Sequence, residues 1–389
     1  MTMQCPTSNK PSICFVAHNA YGAVSGRDTG HVGGIEHQQA TMARWLNRHG
    51  YQVSMVTWDV GQGLEADIEG IRILGFCRRD QGLPVVRFLH PRWSGLWRAM
   101  TRADAEIYYY NCGDMGLGQM VAWCRRRGRS SVYSVASEPD CDPKLPVLKP
   151  LRERFLYRYG LTHADRIVVQ TRRQQEMLQE GFGLQSRLIR TPTDGPDETD
   201  YEPPESPDPQ TARVLWVARI SPEKRLGVLL DVAEACPDVF FEVVGAANAE
   251  NDQTRALLQR AAALPNVTMH GRVAYDRMPE FYRRASLLCC TSAYEGFPNT
   301  FLEAWSLGVP VVSTFDPDDL VRHNELGWVA QDVPGLARCI RQALRSPEAW
   351  SAASRAARGY YLANHQLDAC MRMFEEVFRD VSRDKGRRA

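Results

Sequence analysis

The sequence predicts an α/β protein of two doubly wound domains, each with a parallel sheet, and three observations carry that prediction. The chain has 389 residues, more than the roughly 100–200 of one ordinary core. Short apolar runs rich in Val, Ile and aromatics alternate with stretches of helical period, the pattern of parallel strands joined by crossover helices. The alternation stops once, in TPTDGPDETDYEPPESPDPQT (191–211), which is dense in Pro, Asp, Glu and Ser, and then restarts. Such a segment reads as a linker.

In the first half, strands are expected at SICFVAH (12–18), QVSMVTW (52–58), RILGF (72–76), EIYYYN (106–111), SVYSVA (131–136), RIVVQT (166–171) and RLIR (187–190). IEHQQATMARWLNRHG and PLRERFLYRYGLTH are the clearest helices between them. In the second half the strands are RVLWVAR (213–219), FFEVVG (240–245), VTMHGR (267–272), SLLCCTS (286–292) and PVVST (310–314), each followed by a helix-like segment. The predicted domains are 1–195 and 212–367, with 196–211 as the linker. A last amphipathic stretch, about Asp368 to Arg383 within the terminal segment 368–389, follows the completed second pattern and is expected to return to the first domain.

Lys plus Arg (47) balance Asp plus Glu (46), so no global field argues for a nucleic acid partner. Eleven cysteines are scattered without CxxC or zinc spacing and read as reduced core thiols of a cytoplasmic protein. MTMQCPTSNKPS lacks the apolar core of a signal peptide, and no run approaches the ~18 apolar residues of a membrane span. Any membrane contact is then peripheral. HPRWSGLWRAMTR (90–102), RRRGR (125–129) and PLRERFLYR (150–158) fit either solvated helix faces with core tryptophans or a basic, aromatic surface on anionic lipid.

Open α/β sheets bind ligands outside the carboxyl ends of their strands. Four polar stretches fall there: GHVGGIEHQQ, SEPDCD, ARISPEKR and SAYEGFPNTFLE. In the last, Gly296 and Pro298 force a tight loop, Asn299 is expected to cap the following helix, and Thr300 and Phe301 supply first-turn amides. A helix start of this kind attracts phosphate. Glu303, as an ionised carboxylate, can accept from both hydroxyls of a sugar diol, and Glu295 would reach the opposite end of the same ligand. A lone first-turn glutamate is also favoured by the helix dipole; the pair in this context favours the ligand.

Arg219 and Lys224, five residues apart, offer a forked and a point cation suited to a diphosphate without a metal, although each alone would suit a solvated surface. Gly33 and Gly34 allow close backbone approach, but the spacing is not GxGxxG, and Asp59 is the nearest acid to a dinucleotide fingerprint. The glycine pair also fits a loop hinge, and His31 and His37 read as ordinary loop and helix residues. Asp140-Cys-Asp142 and Asp316-Pro-Asp318-Asp319 have the form of metal-holding DxD patterns, yet such acids commonly cap turns, and no metal is expected.

Taken together, VARISPEKR, the glycine turn after FFEVVG, NVTMHGRV and CTSAYEGFPNTFLEAWSLGVPVVST, in that order between Arg213 and Val329, resemble the retaining glycosyltransferases of family 4. That family has the GT-B fold of two facing Rossmann-like domains, and the E-x7-E spacing of Glu295 to Glu303 is the most specific element of the likeness. The resemblance implies a nucleotide-diphosphate sugar as donor, a glycan or lipid-linked acceptor, and no cofactor or metal. It places Glu303 on the ribose, Glu295 on the transferred sugar, Arg219 and Lys224 on the diphosphate, and Gly33 and Gly34 on the phosphates. Gly296, Phe297, Pro298, Asn299, Thr300 and Phe301 would surround the donor, and backbone near Arg272 and Val273 would meet the base.

The sequence departs from the family in two places. The histidine that many members carry after the fifth strand of the first domain is replaced by Val135-Ala-Ser137-Glu138-Pro139, so Glu138 is the candidate catalytic contact there and Ser137 a sugar or acceptor contact. The usual glycine-rich segment after PVVST is replaced by Phe315-Asp-Pro-Asp-Asp-Leu320. A sugar-nucleotide epimerase, a phosphorylase, or an inactive donor-binding module on the same fold are the competing readings.

Overall fold

The computed structural model describes residues 10–30, 33–247 and 251–386. It divides into two compact units: the chain up to Pro192 together with the segment from Asp368, and Thr193–Leu367.

The first unit is built on eight strands: β1 (Ile13–Val16), β2 (Val53–Thr57), β3 (Glu65–Ile68), β4 (Ile71–Gly75), β5 (Ile107–Tyr110), β6 (Ser130–Ser134), β7 (Arg166–Val169) and β8 (Arg187–Leu188). Their order is β3-β4-β2-β1-β5-β6-β7-β8. Every residue of β1, β2, β5 and β6 is buried, because crossover helices cover both faces, and this is why β1 and β5 read as unbroken apolar runs. β3 was not expected. It pairs antiparallel with β4 across a two-residue turn at Glu69 and Gly70, both with positive φ, and its alternating exposure marks an edge strand. The Glu-Gly pair between two short alternating runs was its sequence signal.

The C-terminal helix Leu367–Gly386 belongs to this unit. Cys370, Met371, Phe374, Val377, Phe378 and Val381 are buried at the spacing of one helix face. Phe374 and Phe378 meet the Tyr109 ring edge-on at 6.1 and 6.2 Å, and the Tyr51 hydroxyl donates to Glu375 at 2.7 Å.

The second unit has a six-stranded, wholly parallel sheet in the order β11-β10-β9-β12-β13-β14. Its strands are β9 (Arg213–Val217), β10 (Phe240–Val244), β11 (Val267–Gly271), β12 (Leu287–Cys290), β13 (Val311–Ser313) and β14 (Gly327–Val329). The connection order reverses on either side of β9, so the switch point of the sheet lies between β9 and β12. β14 has only three residues, too few to show a period.

The segment expected to be a linker is instead strapped onto the second unit. The Thr193 amide donates to His365 O at 3.0 Å, and Arg358, which is buried, donates to Pro196 O at 2.8 Å and Ser306 O at 2.6 Å. Its guanidinium lies 4.2 Å from the centre of the Tyr201 ring. The composition forbids helix and strand as foreseen, but one buried arginine supplies the donors that hold irregular backbone in place.

Candidate functional site

At the β9/β12 switch point, two loops are locked into one block. The Trp216 indole donates to Thr291 Oγ1 at 3.0 Å, and Thr291 Oγ1 donates to Lys224 O at 2.7 Å. The Ala293 amide donates to Glu223 O at 2.8 Å. Arg225 sits at φ +51° and sends its guanidinium back across the sheet, to Thr291 O at 2.6 Å, Ser292 O at 3.2 Å and Thr314 Oγ1 at 2.7 Å. It therefore ties the ends of β12 and β13 to the loop after β9. Sequence reasoning missed Arg225, because a third cation after Lys224 looks like another surface charge; its role follows from contacts 66 to 89 residues away.

On this block the structure brings Lys224 and Glu295 into a direct ion pair, with side chains 18% and 17% exposed. The Ser292 hydroxyl donates to the same Glu295 oxygen at 2.6 Å. Arg219, more exposed, faces Glu223 at 3.8 Å, and Ser221 donates to Glu223 at 2.6 Å. Burial pushes the Glu223 carboxyl up, but the Ser221 hydroxyl, its own amide, Arg219 and Lys224 outweigh this and hold it below its ordinary value. Each predicted phosphate cation thus already has a carboxylate partner, and Glu223 is a member of the site that the sequence did not single out.

The helix Asn299–Ser306 starts differently from expectation. Pro298 is the N-cap residue, without a side-chain cap, and Asn299 is already helical. Proline's fixed φ presets this start, so Asn299 does not cap it. The Phe301 amide, expected to be available, donates to Pro298 O at 3.0 Å, and the amides without an acceptor inside the helix are those of Asn299 and Thr300. Phe297 and Phe301 are buried, with ring centroids 6.2 and 5.4 Å from Trp305. Their side chains belong to the core, and with Gly296, also buried, they shape the loop.

Glu303, one turn further on, is gripped by tyrosines. Tyr282 Oη donates to Glu303 Oε2 at 2.5 Å, and the Tyr275 hydroxyl also bonds to it. Burial pushes its carboxyl up to about 7, against the lowering effect of both hydroxyls. Burial therefore holds the carboxyl expected to be ionised toward its protonated form in the ligand-free protein. Tyr275 follows Arg272, which is exposed, and Val273, which packs on the core. Gly245, directly after β10, has φ +143° and would drive a Cβ into Ala218 O, so the loop after β9 can only lie this close to a glycine.

In the first unit, Gly33 is extended and precedes the helix Gly34–Arg48. A Cβ there would strike the Glu36 carboxylate, so the space the glycine leaves is filled by the helix's own first-turn acid. His37 lies in this helix, its imidazole lowered to about 4 by burial; His31 lies outside the described residues. Ser137 caps the short turn Glu138–Cys141 with Asp140: the Ser137 amide and hydroxyl donate to Asp140 Oδ2 at 2.8 and 3.0 Å. Asp142 accepts from the Lys144 amide and Asp316 from the Val321 amide, so both DxD-like patterns hold turns. Among the described residues no group of three or more His, Cys, Asp or Glu is placed to hold a metal ion. The first unit also contains a polar atom that the sequence did not flag, His18 Nε2, buried without a hydrogen-bond partner, its ring against those of Trp58 and Phe76.

Two doubly wound units of this kind define the GT-B fold. The structure resembles HepE of Anabaena, solved in complex with UDP and glucose, at a TM-score of 0.74 and 17% identity, covering 95% of this chain and 99% of that one. It resembles sucrose-phosphate synthase of Thermosynechococcus elongatus at 0.75 and 18%, covering 96% and 99%. Residues 33–194 match the family described as glycosyl transferase 4-like domain, and residues 211–346 the family described as glycosyl transferases group 1. The chain belongs to these GT4-like, group 1 glycosyltransferases. Mannosylfructose-phosphate synthase of Agrobacterium fabrum is 27% identical over 182 residues, 42% of this chain and 39% of that protein. The matched region is thus about two fifths of that curated relative's length.

Proposed function

We propose that the chain is a retaining glycosyltransferase that moves a hexose-type sugar from a nucleotide-diphosphate sugar to an acceptor hydroxyl. The acceptor is a glycan or lipid-linked hydroxyl in surface polysaccharide or glycolipid synthesis, and the enzyme works in the cytoplasm, peripherally at the inner face of the membrane. The observation that carries this reading is the meeting of Lys224 with Glu295 on two cross-tied loops, next to a helix start with unbonded amides and one turn from Glu303.

In this reading the diphosphate takes the Asn299 and Thr300 amides together with Lys224 and Arg219, so the ion pair opens as the donor enters. Glu295 turns to the hydroxyls of the transferred sugar, and Glu303 exchanges tyrosine hydroxyls for the ribose diol. The bond between the anomeric carbon and the phosphate oxygen breaks while the acceptor oxygen bonds the same carbon from the same face. The acceptor's proton passes to the leaving phosphate. Cations and oriented amides stabilise the charge that grows on the diphosphate, and we assign no metal to the reaction.

The test is a thermal-shift series with UDP, GDP, ADP and their sugars in the presence of a chelator. HepE was solved with UDP and glucose, so a uridine donor is tried first. A ligand that binds only the native state adds about 2.7 kcal/mol at a hundred times its Kd. UDP or GDP is expected to raise the melting midpoint without divalent metal, and Glu303→Ala to remove most of the gain. Stabilisation only with magnesium or manganese would overturn the metal-free assignment.

A further inference from the structure

We propose that the first unit docks on an anionic lipid bilayer through two adjoining segments, 83–89 and 147–155, which follow the carboxyl ends of β4 and β6. This deepens the peripheral membrane contact proposed above and rests on that part of the reading, but not on the donor chemistry.

Of the thirteen large hydrophobic residues exposed among the described residues, seven lie in these two segments. Leu83, Val85, Val86 and Leu89 are on the first, and Val85 is 93% exposed. Val147, Leu151 and Phe155 are on the second, Phe155 at 71%. Leu151 and Phe155 stand one turn apart on the helix Leu151–His163, on the same outward face. The segments touch, since the Arg152 guanidinium lies 4.7 Å from the centre of the Phe88 ring. Scattered apolar side chains are ordinary on a surface, but this concentration marks an interaction site.

The charge around the patch selects the partner. Arg87 lies in the first segment and Arg92 just after it; Lys149, Arg152 and Arg154 lie in the second, with Lys144 and Arg158 on either side, and Glu153 is the acid among them. None of these cations is in an ion pair with a carboxylate among the described residues. Arg92, Arg154 and Arg158 donate to carbonyls of Arg79, Lys144 and Pro143, neutral groups that fix the side chains and leave their charge uncompensated. Apolar tips ringed by long cations suit the boundary between acyl chains and anionic headgroups, where the stems reach down and the charges stay with the phosphates. A symmetric second copy would set these cations against themselves, which disfavours a homodimer.

This assignment revises the basic, aromatic surface suggested by the sequence. Trp97 donates to Gln119 O at 3.0 Å and packs on the core, and Trp93, half-buried, stands edge-on to it at 5.9 Å, so the outward element is mainly aliphatic. RRRGR leads into the start of β6, the opposite end of that strand from the 147–155 segment, and its Arg129 is paired with Asp104 at 2.5 Å.

The experiment is co-sedimentation of the full chain with vesicles of phosphatidylcholine alone and of equal parts phosphatidylcholine and phosphatidylglycerol. The protein is expected to bind the anionic vesicles by about tenfold or more over the neutral ones, and salt should weaken that binding. Val85→Asp with Phe155→Asp should lose it, as should Arg87→Glu with Lys149→Glu. Leu64→Asp, at an exposed leucine elsewhere (61%), should retain it. Equal binding to both vesicles, or unchanged binding in the two double variants, would overturn the proposal. So would a concentration-dependent dimer in light scattering that the Val85/Phe155 variant abolishes. Nucleotide stabilisation measured on the same variants should be unchanged, which separates failure of this surface from failure of the donor site.

Discussion

The polar loops at the carboxyl ends of the two sheets are built on opposite plans. After β9 and β12, Trp216, Thr291, Lys224 and Arg225 tie one loop to another. After β6, Ser137 and Asp140 tie a loop to itself. Cross-tying fixes two backbones with a few contacts at their base and leaves the side chains above them to meet in pairs, Lys224 with Glu295 and Arg219 with Glu223. Self-capping consumes the polar groups that the sequence offers. A polar residue at a strand end is therefore a strong site candidate when its loop is held by something other than that residue.

The largest effect that would sharpen this contrast concerns the cations of the cross-tied loops. Lys224→Ala and Arg219→Ala should each lower turnover by roughly ten- to a thousandfold, if they stabilise charge that appears in the transition state. Melting should move little, because Arg225 and Thr291 hold the loops. Steady-state kinetics beside a melting curve checks both, and wild-type turnover in both variants would dissolve the distinction.

An intermediate effect belongs to Glu303. Its carboxyl, pushed up to about 7 in the ligand-free protein against an ordinary 4.5, must ionise to accept a diol fully, so binding releases a proton. Nucleotide affinity should then fall by about tenfold for each pH unit below 7 and level off above it. Without ligand the sign is opposite: between about 4.5 and 7 the native state holds a proton that the unfolded chain has lost, so this group's contribution to stability declines as pH rises through that window. Calorimetry in buffers of different ionisation enthalpy reads the proton directly. A pH slope that persists in Glu303→Gln would assign it to another group.

The smallest effect lies in the self-capped loop. Glu138→Gln should leave nucleotide binding intact and reduce sugar transfer a few-fold, whereas Ser137→Ala should cost about 1 kcal/mol of stability through its cap and change transfer less. Denaturation curves and transfer kinetics with the cognate pair separate the two. Unchanged transfer in Glu138→Gln would remove it from the mechanism.

Strands buried on both faces were legible in the sequence, because burial writes an unbroken apolar run, as in IYYY of β5 and LLCC of β12. β3 and β14 were not, one being a polar edge and the other three residues long. The strap around Tyr201 was read as a linker because its partner, Arg358, is remote in sequence. In the site, residue types and spacing pointed to Lys224, Glu295 and Glu303, while the joining of the first two, 71 residues apart, and the tyrosines on the third are facts of three dimensions. The placement of Asn299 failed by one position, since a proline ahead of it took the cap.

The Lys224–Glu295 pair gives the site a logic of its own. Its two charges answer each other, so the pair at rest presents little net attraction to a small anion. A bare phosphate that draws the lysine away strands the glutamate, and a free sugar that engages the glutamate strands the lysine. Under the proposed roles only a molecule carrying phosphate and hydroxyls at the right separation satisfies both halves at once. The pair then acts as a coincidence detector, making recognition of the two ends of a donor one cooperative event instead of two independent ones.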